Sequence, residues 1–133
     1  MFHLQELKIL KGRTIGLLGL AFKPNTDDLR EAPAIEIAQK LIDRGVRVKA
    51  HDPIACERFR HEHDGMAVHL CEAPSEMAEG CDALVLVTEW NEYRDLDWES
   101  LAKKMRHPFV LDGRNALDRE KLMRAGMRYV TIS

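Results

Sequence analysis

Long apolar runs are missing from this chain. The longest, such as "ALVLV" at 83–87, falls well short of the roughly 20 residues a bilayer-spanning helix needs, so no membrane partner is expected. The first residues, "MFHLQELKILKGR", have no long apolar core behind a basic start and no small-residue cleavage site, which argues against secretion. Cysteine is scarce as well. Cys56, Cys71 and Cys81 are odd in number and form no CxxC, so a reducing, cytoplasmic setting suits them. No sign of charge dominates: the net charge is −2 with both signs interspersed, against a nucleic-acid-coating role or a membrane-surface one. What is present is ordinary for a soluble fold. Of 133 residues, 45% are apolar and 32% charged, enough for one domain, 1–133, with its own core.

The chain alternates strand and helix signals to its end. "RTIGLLGL" (13–20) is a buried strand, and "APAIEIAQKLIDRG" a helix with Pro33 in its first turn, a stripe of Ile35, Ala38, Leu41 and Ile42, and Gly45 at its C-cap. "VRVKAHD" alternates as a second strand, a polar helix runs on to about His63, and "MAVHL" is a short third strand. "PSEMAEG" is a brief helix, "DALVLVTEW" a strand apolar on both faces, "WESLAKKM" a helix, "FVLD" a strand, "DREKLMRAG" a helix and "MRYVTI" the last strand. Six strands joined by five crossover helices predict an α/β, doubly wound, Rossmann-like parallel sheet with strand order 3-2-1-4-5-6.

In such a sheet, ligands sit outside the carboxyl ends of the strands where the order reverses, here between strands 1 and 4. "LAFKPNTDDLRE", "TEWNEYRD" and "DGRNALD" reach that crevice and offer Trp90 and the cations Lys23, Arg30, Arg94 and Arg114, of which two or three converging would suit a phosphorylated ligand. As an NAD fingerprint the first turn fails: "GLLGLA" lacks the close glycine pair, and Gly16 is expected inside the strand. Lys23, pinned by Pro24, is either a side-chain substitute for the missing backbone amides or a solvated surface lysine, and residue types alone do not separate the two. Thr26, Asp27 or Asp28 is expected to cap the following helix, with Glu31 in its first turn. Arg30 is a cation at a helix N-terminus and needs an anion nearby, either those carboxylates or a ligand. Asp52 stands where a dinucleotide fold keeps its ribose-binding acid, but a turn role before Pro53 fits better. "HEH" and "HLC" match no zinc spacing, so no metal is expected, and Cys56 and Cys81 read as small core residues.

Taken together, "GLLGLAFKPNTDDLREAPAIEIAQKLIDRGVRVKAHDP", "DALVLVTEWNEYRDLDW" and "FVLDGRNALDREKLMRAGMRYVTIS" resemble the C-terminal, UDP-binding domain of the UDP-glucose/GDP-mannose dehydrogenase family. The resemblance runs from about Leu10 to the end, and "AFKPNTDDLREAP" with "TEWNEYR" is most similar to the UDP-glucose 6-dehydrogenase branch. It implies an oxidoreductase converting UDP-glucose and two NAD to UDP-glucuronate, with NAD held mainly by another domain and a central helix forming a homodimer. By the same resemblance Phe22, Lys23 and Arg114 contact the UDP-sugar and Arg30 reaches the bound NAD. The family's catalytic cysteine sits in a Gly-rich motif that this chain does not contain, so no residue here is expected to be catalytic. An excised domain or a fragmentary reading frame, lacking the NAD-binding domain and central helix and inactive alone, is the expectation. The alternatives are a non-catalytic assembly or regulatory module and a dehydrogenase of the GDP-mannose or UDP-N-acetylmannosamine branch.

Overall fold

A computed structural model of the protein describes residues 10–131; the stretch 1–9 and residues 132–133, including Ile132 at the expected end of the last strand, lie outside the described residues. Six strands form one sheet: β1 (Thr14–Leu18), β2 (Arg47–His51), β3 (Val68–Leu70), β4 (Ala83–Leu86), β5 (Phe109–Asp112) and β6 (Arg128–Thr131). Their order is β3-β2-β1-β4-β5-β6 and every pairing is parallel, as the alternation of elements predicts. Between them run α1 (Pro33–Asp43), α2 (Cys56–Glu62), α3 (Pro74–Ala78), α4 (Asn91–Arg94), α5 (Trp98–Lys104) and α6 (Arg119–Arg124).

The alternation of side chains along the strands sends them into two cores. Ile15 and Leu17 of β1, Ala83 and Val85 of β4, and Phe109 and Leu111 of β5 face Ala34, Ala38 and Leu41 of α1 and Phe59 of α2. Leu18, Leu84, Leu86 and Val110 point the other way, onto Met77, Tyr93, Trp98, Leu101 and Leu122. Each such aliphatic side chain contributes roughly 1.5–3 kcal/mol on burial, so the central strands anchor both layers. Gly16 lies inside β1, as expected: a Cβ there would meet Leu84 Cδ2 and Met77 Cε at 2.9 Å, so this glycine makes room for packing rather than for a ligand.

Three expectations need correction. β1 stops at Leu18, because Gly19 turns the chain at φ +101°. No side chain caps α1: its N-cap is Ala32, extended as a residue before proline must be, and Thr26, Asp27 and Asp28 are used elsewhere. A sixth helix, α4, interrupts what reads as a loop; four residues are too few to show a periodic stripe, and the turn is fixed by the burial of Tyr93. Among the described residues, no helix is long and apolar enough to cross a membrane.

Candidate functional site

The sheet register builds the crevice. Leu18 lies opposite His51 on one side and Leu86 on the other, and Leu86 opposite Asp112. The next residues, Asp52, Gly19, Val87 and Gly113, therefore leave the sheet side by side, each opening a loop. Main-chain bonds lock them together: Gly19 N–H donates to His51 O at 2.8 Å, Val87 N–H to Leu18 O at 2.9 Å and Gly113 N–H to Leu86 O at 3.0 Å. Gly19 also needs its missing side chain, since a Cβ would come within 2.4 Å of Thr88 Cβ. That closeness lets Thr88 Oγ1 donate to Ala21 O at 2.8 Å, tying the loop after β1 to the loop after β4.

Phe22 and Lys23 follow directly from that anchor. Phe22 N–H donates to Asp28 O at 2.8 Å while its ring is 50% exposed, an unusual placement for an aromatic side chain. Lys23 is exposed and has no hydrogen-bond or ion-pair partner among the described residues. On the neighbouring loop Arg114 is held twice. Its N–H donates to Asp112 Oδ1 at 2.9 Å, and its Nε donates to Glu89 Oε2 at 3.0 Å. Bonding through Nε leaves the two terminal nitrogens of the guanidinium for a bidentate anion. Glu89 adjoins Thr88, so the loops carrying Lys23 and Arg114 meet at one pair of residues.

Arg30 belongs to a different cluster. Its Nε and Nη2 clasp Asp28 at 3.1 and 2.9 Å, and those bonds pull the Asp28 carboxyl down to about 2. The anion its position demands is thus Asp28. Asp27 pairs with Arg58 of α2 at 2.9 Å, and Asp27, Asp28, Arg30, Arg58 and Glu62 line an open cavity of about 390 Å³. Thr26 Oγ1 accepts from Asp28 N–H at 3.2 Å and Asp28 Oδ1 from Arg30 N–H at 2.9 Å, turn bonds that occupy the residues expected to cap α1. Asn25, Glu31 and Asn115 all adopt positive φ, at 68°, 56° and 54°, so among the described residues the three non-glycine left-handed ones fall on the two cation-bearing loops.

Two residues offered to the crevice by sequence are placed otherwise. Trp90 is only 7% exposed and its indole N–H points inward to Asp52 Oδ2 at 3.3 Å; it is core, not a ligand surface. Arg94 spends its side chain on Asn91 Oδ1 and its carbonyl on Lys121 Nζ. Asp52 and Asp112 are what sequence reasoning underrated. Asp52 does take the turn role, accepting from Ile54 and Ala55 N–H, but its other oxygen also holds Leu20 and Ala21. Asp112 accepts from Arg114, Ala116 and Leu117 N–H and from the Tyr129 hydroxyl, whose own ionisation burial pushes up to about 12. An Asp at the end of a strand or directly after it was the available signal.

The crevice is not built for a dinucleotide. The loop glycine is filled by Thr88 and the Asp52 carboxylate is occupied by backbone donors, so neither pyrophosphate cradle nor ribose acceptor is free. Nor are the thiols activated: burial raises Cys56 and Cys71 and pushes Cys81 up to about 12. Cys71 and Cys81 are buried, and Cys56 is half-buried against the α1–α2 core. Among the described residues no group of three or more His, Cys, Asp or Glu could hold a metal ion.

Comparison with known proteins supplies the context. A family profile described as "UDP-glucose/GDP-mannose dehydrogenase family, UDP binding domain" matches residues 16–119. UDP-glucose 6-dehydrogenase of Pseudomonas aeruginosa is 43% identical over 126 residues, covering 92% of this chain and 28% of that protein. Among solved structures, a UDP-glucose dehydrogenase from Pyrobaculum islandicum superposes with a TM-score of 0.76 at 36% identity, covering 97% of this chain and 27% of the other. A UDP-D-ManNAc dehydrogenase from Pyrococcus horikoshii gives 0.75 at 28% identity, with 97% and 28% covered. The chain thus spans about 28% of the length of the curated relatives it matches.

Proposed function

We propose that this chain, which belongs to the UDP-glucose/GDP-mannose dehydrogenase family through its UDP-binding domain, holds the nucleotide part of UDP-glucose in the β1/β4 crevice. The reading extends to the whole protein: an NAD-dependent UDP-glucose 6-dehydrogenase that oxidises the C6 alcohol of the sugar to a carboxylate, with two NAD reduced. The observation that carries it is the placement of Lys23, without a partner among the described residues, and Arg114, aimed by Glu89 and Asp112, on loops joined through Thr88 and Glu89. A diphosphate is the anion such a pair suits: the lysine supplies a point charge and the guanidinium a planar fork. The half-exposed Phe22 ring adds an apolar face for the base or sugar.

NAD, when bound, would supply the hydride acceptor, and parts of the protein outside these residues would hold it. This chain would offer it Arg30, whose side chain is 89% exposed although paired with Asp28. No nucleophile is proposed here, since all three thiols are held protonated. By itself the chain would bind without turning over. The homodimer and the NAD-binding partner domain belong to the same proposal.

Calorimetric titration of the chain with UDP, UDP-glucose, GDP-mannose and NAD tests the reading. Saturable binding of the uridine ligands is expected, with Lys23→Ala and Arg114→Ala each weakening it by about 1–3 kcal/mol and Arg30→Ala leaving it nearly intact. Absence of binding at millimolar UDP, or unchanged affinity in both variants, would overturn it. The likeness to a UDP-D-ManNAc dehydrogenase favours one second reading, an acetamido sugar in place of glucose. Parallel titration with UDP-N-acetylmannosamine separates the two.

A further inference from the structure

We propose that Asp52 is the positioning residue of this site, setting the Phe22–Lys23 corner in the shape that meets the ligand; the proposal rests on the reading of the crevice as a nucleotide site. Asp52 is 5% exposed and accepts five hydrogen bonds from three separate loops. Oδ2 receives Leu20 N–H at 2.8 Å, Ala21 N–H at 3.1 Å and the Trp90 indole N–H at 3.3 Å. Oδ1 receives Ile54 N–H at 2.9 Å and Ala55 N–H at 2.8 Å. A carboxylate offers about four lone-pair sites, so five donors leave none for a ligand hydroxyl. The acid that would bind a ribose in a dinucleotide fold is here turned inward and used as a clamp.

Its effect is transmitted through one residue, Ala21. The Ala21 N–H is held by Asp52 and the Ala21 carbonyl by Thr88, so the chain enters Phe22 and Lys23 in a fixed direction. No cation among the described residues pairs with Asp52; its charge is met by fixed N–H dipoles. Neutral donors therefore stabilise the anion, and Lys23, two residues beyond the clamp, stays free for a ligand. Asn at this position would present an NH2 group either to the Leu20–Ala21–Trp90 donors or to the Ile54–Ala55 donors. Donor would face donor whichever way the amide turned, and one of the two donor sets would be released.

The test is UDP titration of this chain as wild type, Asp52→Asn, Lys23→Ala and the double variant. Asp52→Asn should weaken UDP by about tenfold, and most of that loss should vanish when Lys23 is already alanine, because the two act through one contact. Asp82→Asn, a buried carboxylate at the opposite end of the sheet, is the control: it should lower the melting temperature with UDP affinity unchanged. Amide exchange gives an independent readout, with Leu20, Ala21 and Phe22 exchanging faster in Asp52→Asn but not in Asp82→Asn. Wild-type UDP affinity in Asp52→Asn, or additive losses in the double variant, would overturn the proposal. Should the wild type bind no UDP, the nucleotide reading fails, and unchanged protection of those three amides would remove the clamp as well. If Asp52→Asn does not fold, Trp90→Phe withdraws one donor from the same oxygen, and unaltered UDP affinity and amide protection there would count equally against it.

Discussion

The two ends of the sheet each bury carboxylates, but they satisfy them in opposite ways. At the C-terminal end Asp52 and Asp112 are surrounded by backbone N–H groups, an indole and a phenol. At the N-terminal end Asp82, with no exposed surface, accepts Thr14 N–H at 2.9 Å and is ringed by Arg13 at 3.5 Å, His107 at 3.5 Å and Arg106 at 3.9 Å. Dipoles rooted in the main chain fix where the main chain goes; long cationic side chains neutralise a charge while leaving their own backbones freer. The first arrangement leaves Lys23 without an internal anion, whereas the second occupies its cations internally. The proposed anion-binding crevice at one end and a structural fastening at the other are consistent with that division.

The comparison can be broken most severely at Gly19. Alanine there would force a left-handed φ of +101° on a residue with a Cβ and drive it to 2.4–2.7 Å from Thr88. A loss of about 3 kcal/mol in denaturant unfolding is expected, together with loss of UDP binding as the loops after β1 and β4 separate. Stability close to wild type would mean that the two loops are not rigidly joined.

Asp82→Asn probes the other end. It leaves Arg13, Arg106 and His107 facing a neutral amide, and since these partners are 30–60% exposed, solvent limits the cost to about 2 kcal/mol. The drop should shrink in high salt. A salt-independent loss would place the fastening in the Thr14 hydrogen bond rather than in the cations.

A smaller effect sharpens the contrast through pH. His51, 5% exposed at the end of β2, has a lowered pKa because burial disfavours its charged form, against weaker opposition from Glu92 and Asp52. Its Nδ1 lies 2.9 Å from the Tyr93 hydroxyl, which also lies 3.1 Å from His51 O, so the ring is held by a neutral partner. As pH falls below 6.5, the ordinary histidine value, the unfolded chain gains a proton that the folded chain takes up only at lower pH. Stability should therefore be intact above that pH and decline below it. Unfolding midpoints at pH 7.5 and 5.5 should differ more in wild type than in His51→Gln; equal differences would assign the decline to other groups.

The strand and helix order, the parallel sheet and its switch point were legible in the residues, because alternation along strands and a stripe along α1 are local patterns that burial rewards directly. The place of Gly16 inside the first strand and not in its turn was legible too. The caps were not: "TDD" offers three good capping residues, yet Pro33 forces an extended Ala32 as N-cap and the loop closes on itself through Asp28 and Arg30. Trp90 and Arg94 looked like crevice residues because a loop position says nothing about which way a side chain turns.

Sequence by itself determined the sheet, its strand order and the three loops that bound the crevice, since each depends on hydrophobic periodicity and turn chemistry within a short window. Only the tertiary structure decided what those loops do. Asp52 meets Leu20 from 32 positions away, Thr88 meets Ala21 from 67, and Arg114 meets Glu89 from 25. Bonds of such separation exist only after the strands pair in register, and no local pattern encodes which donor an inward-turned carboxylate will find.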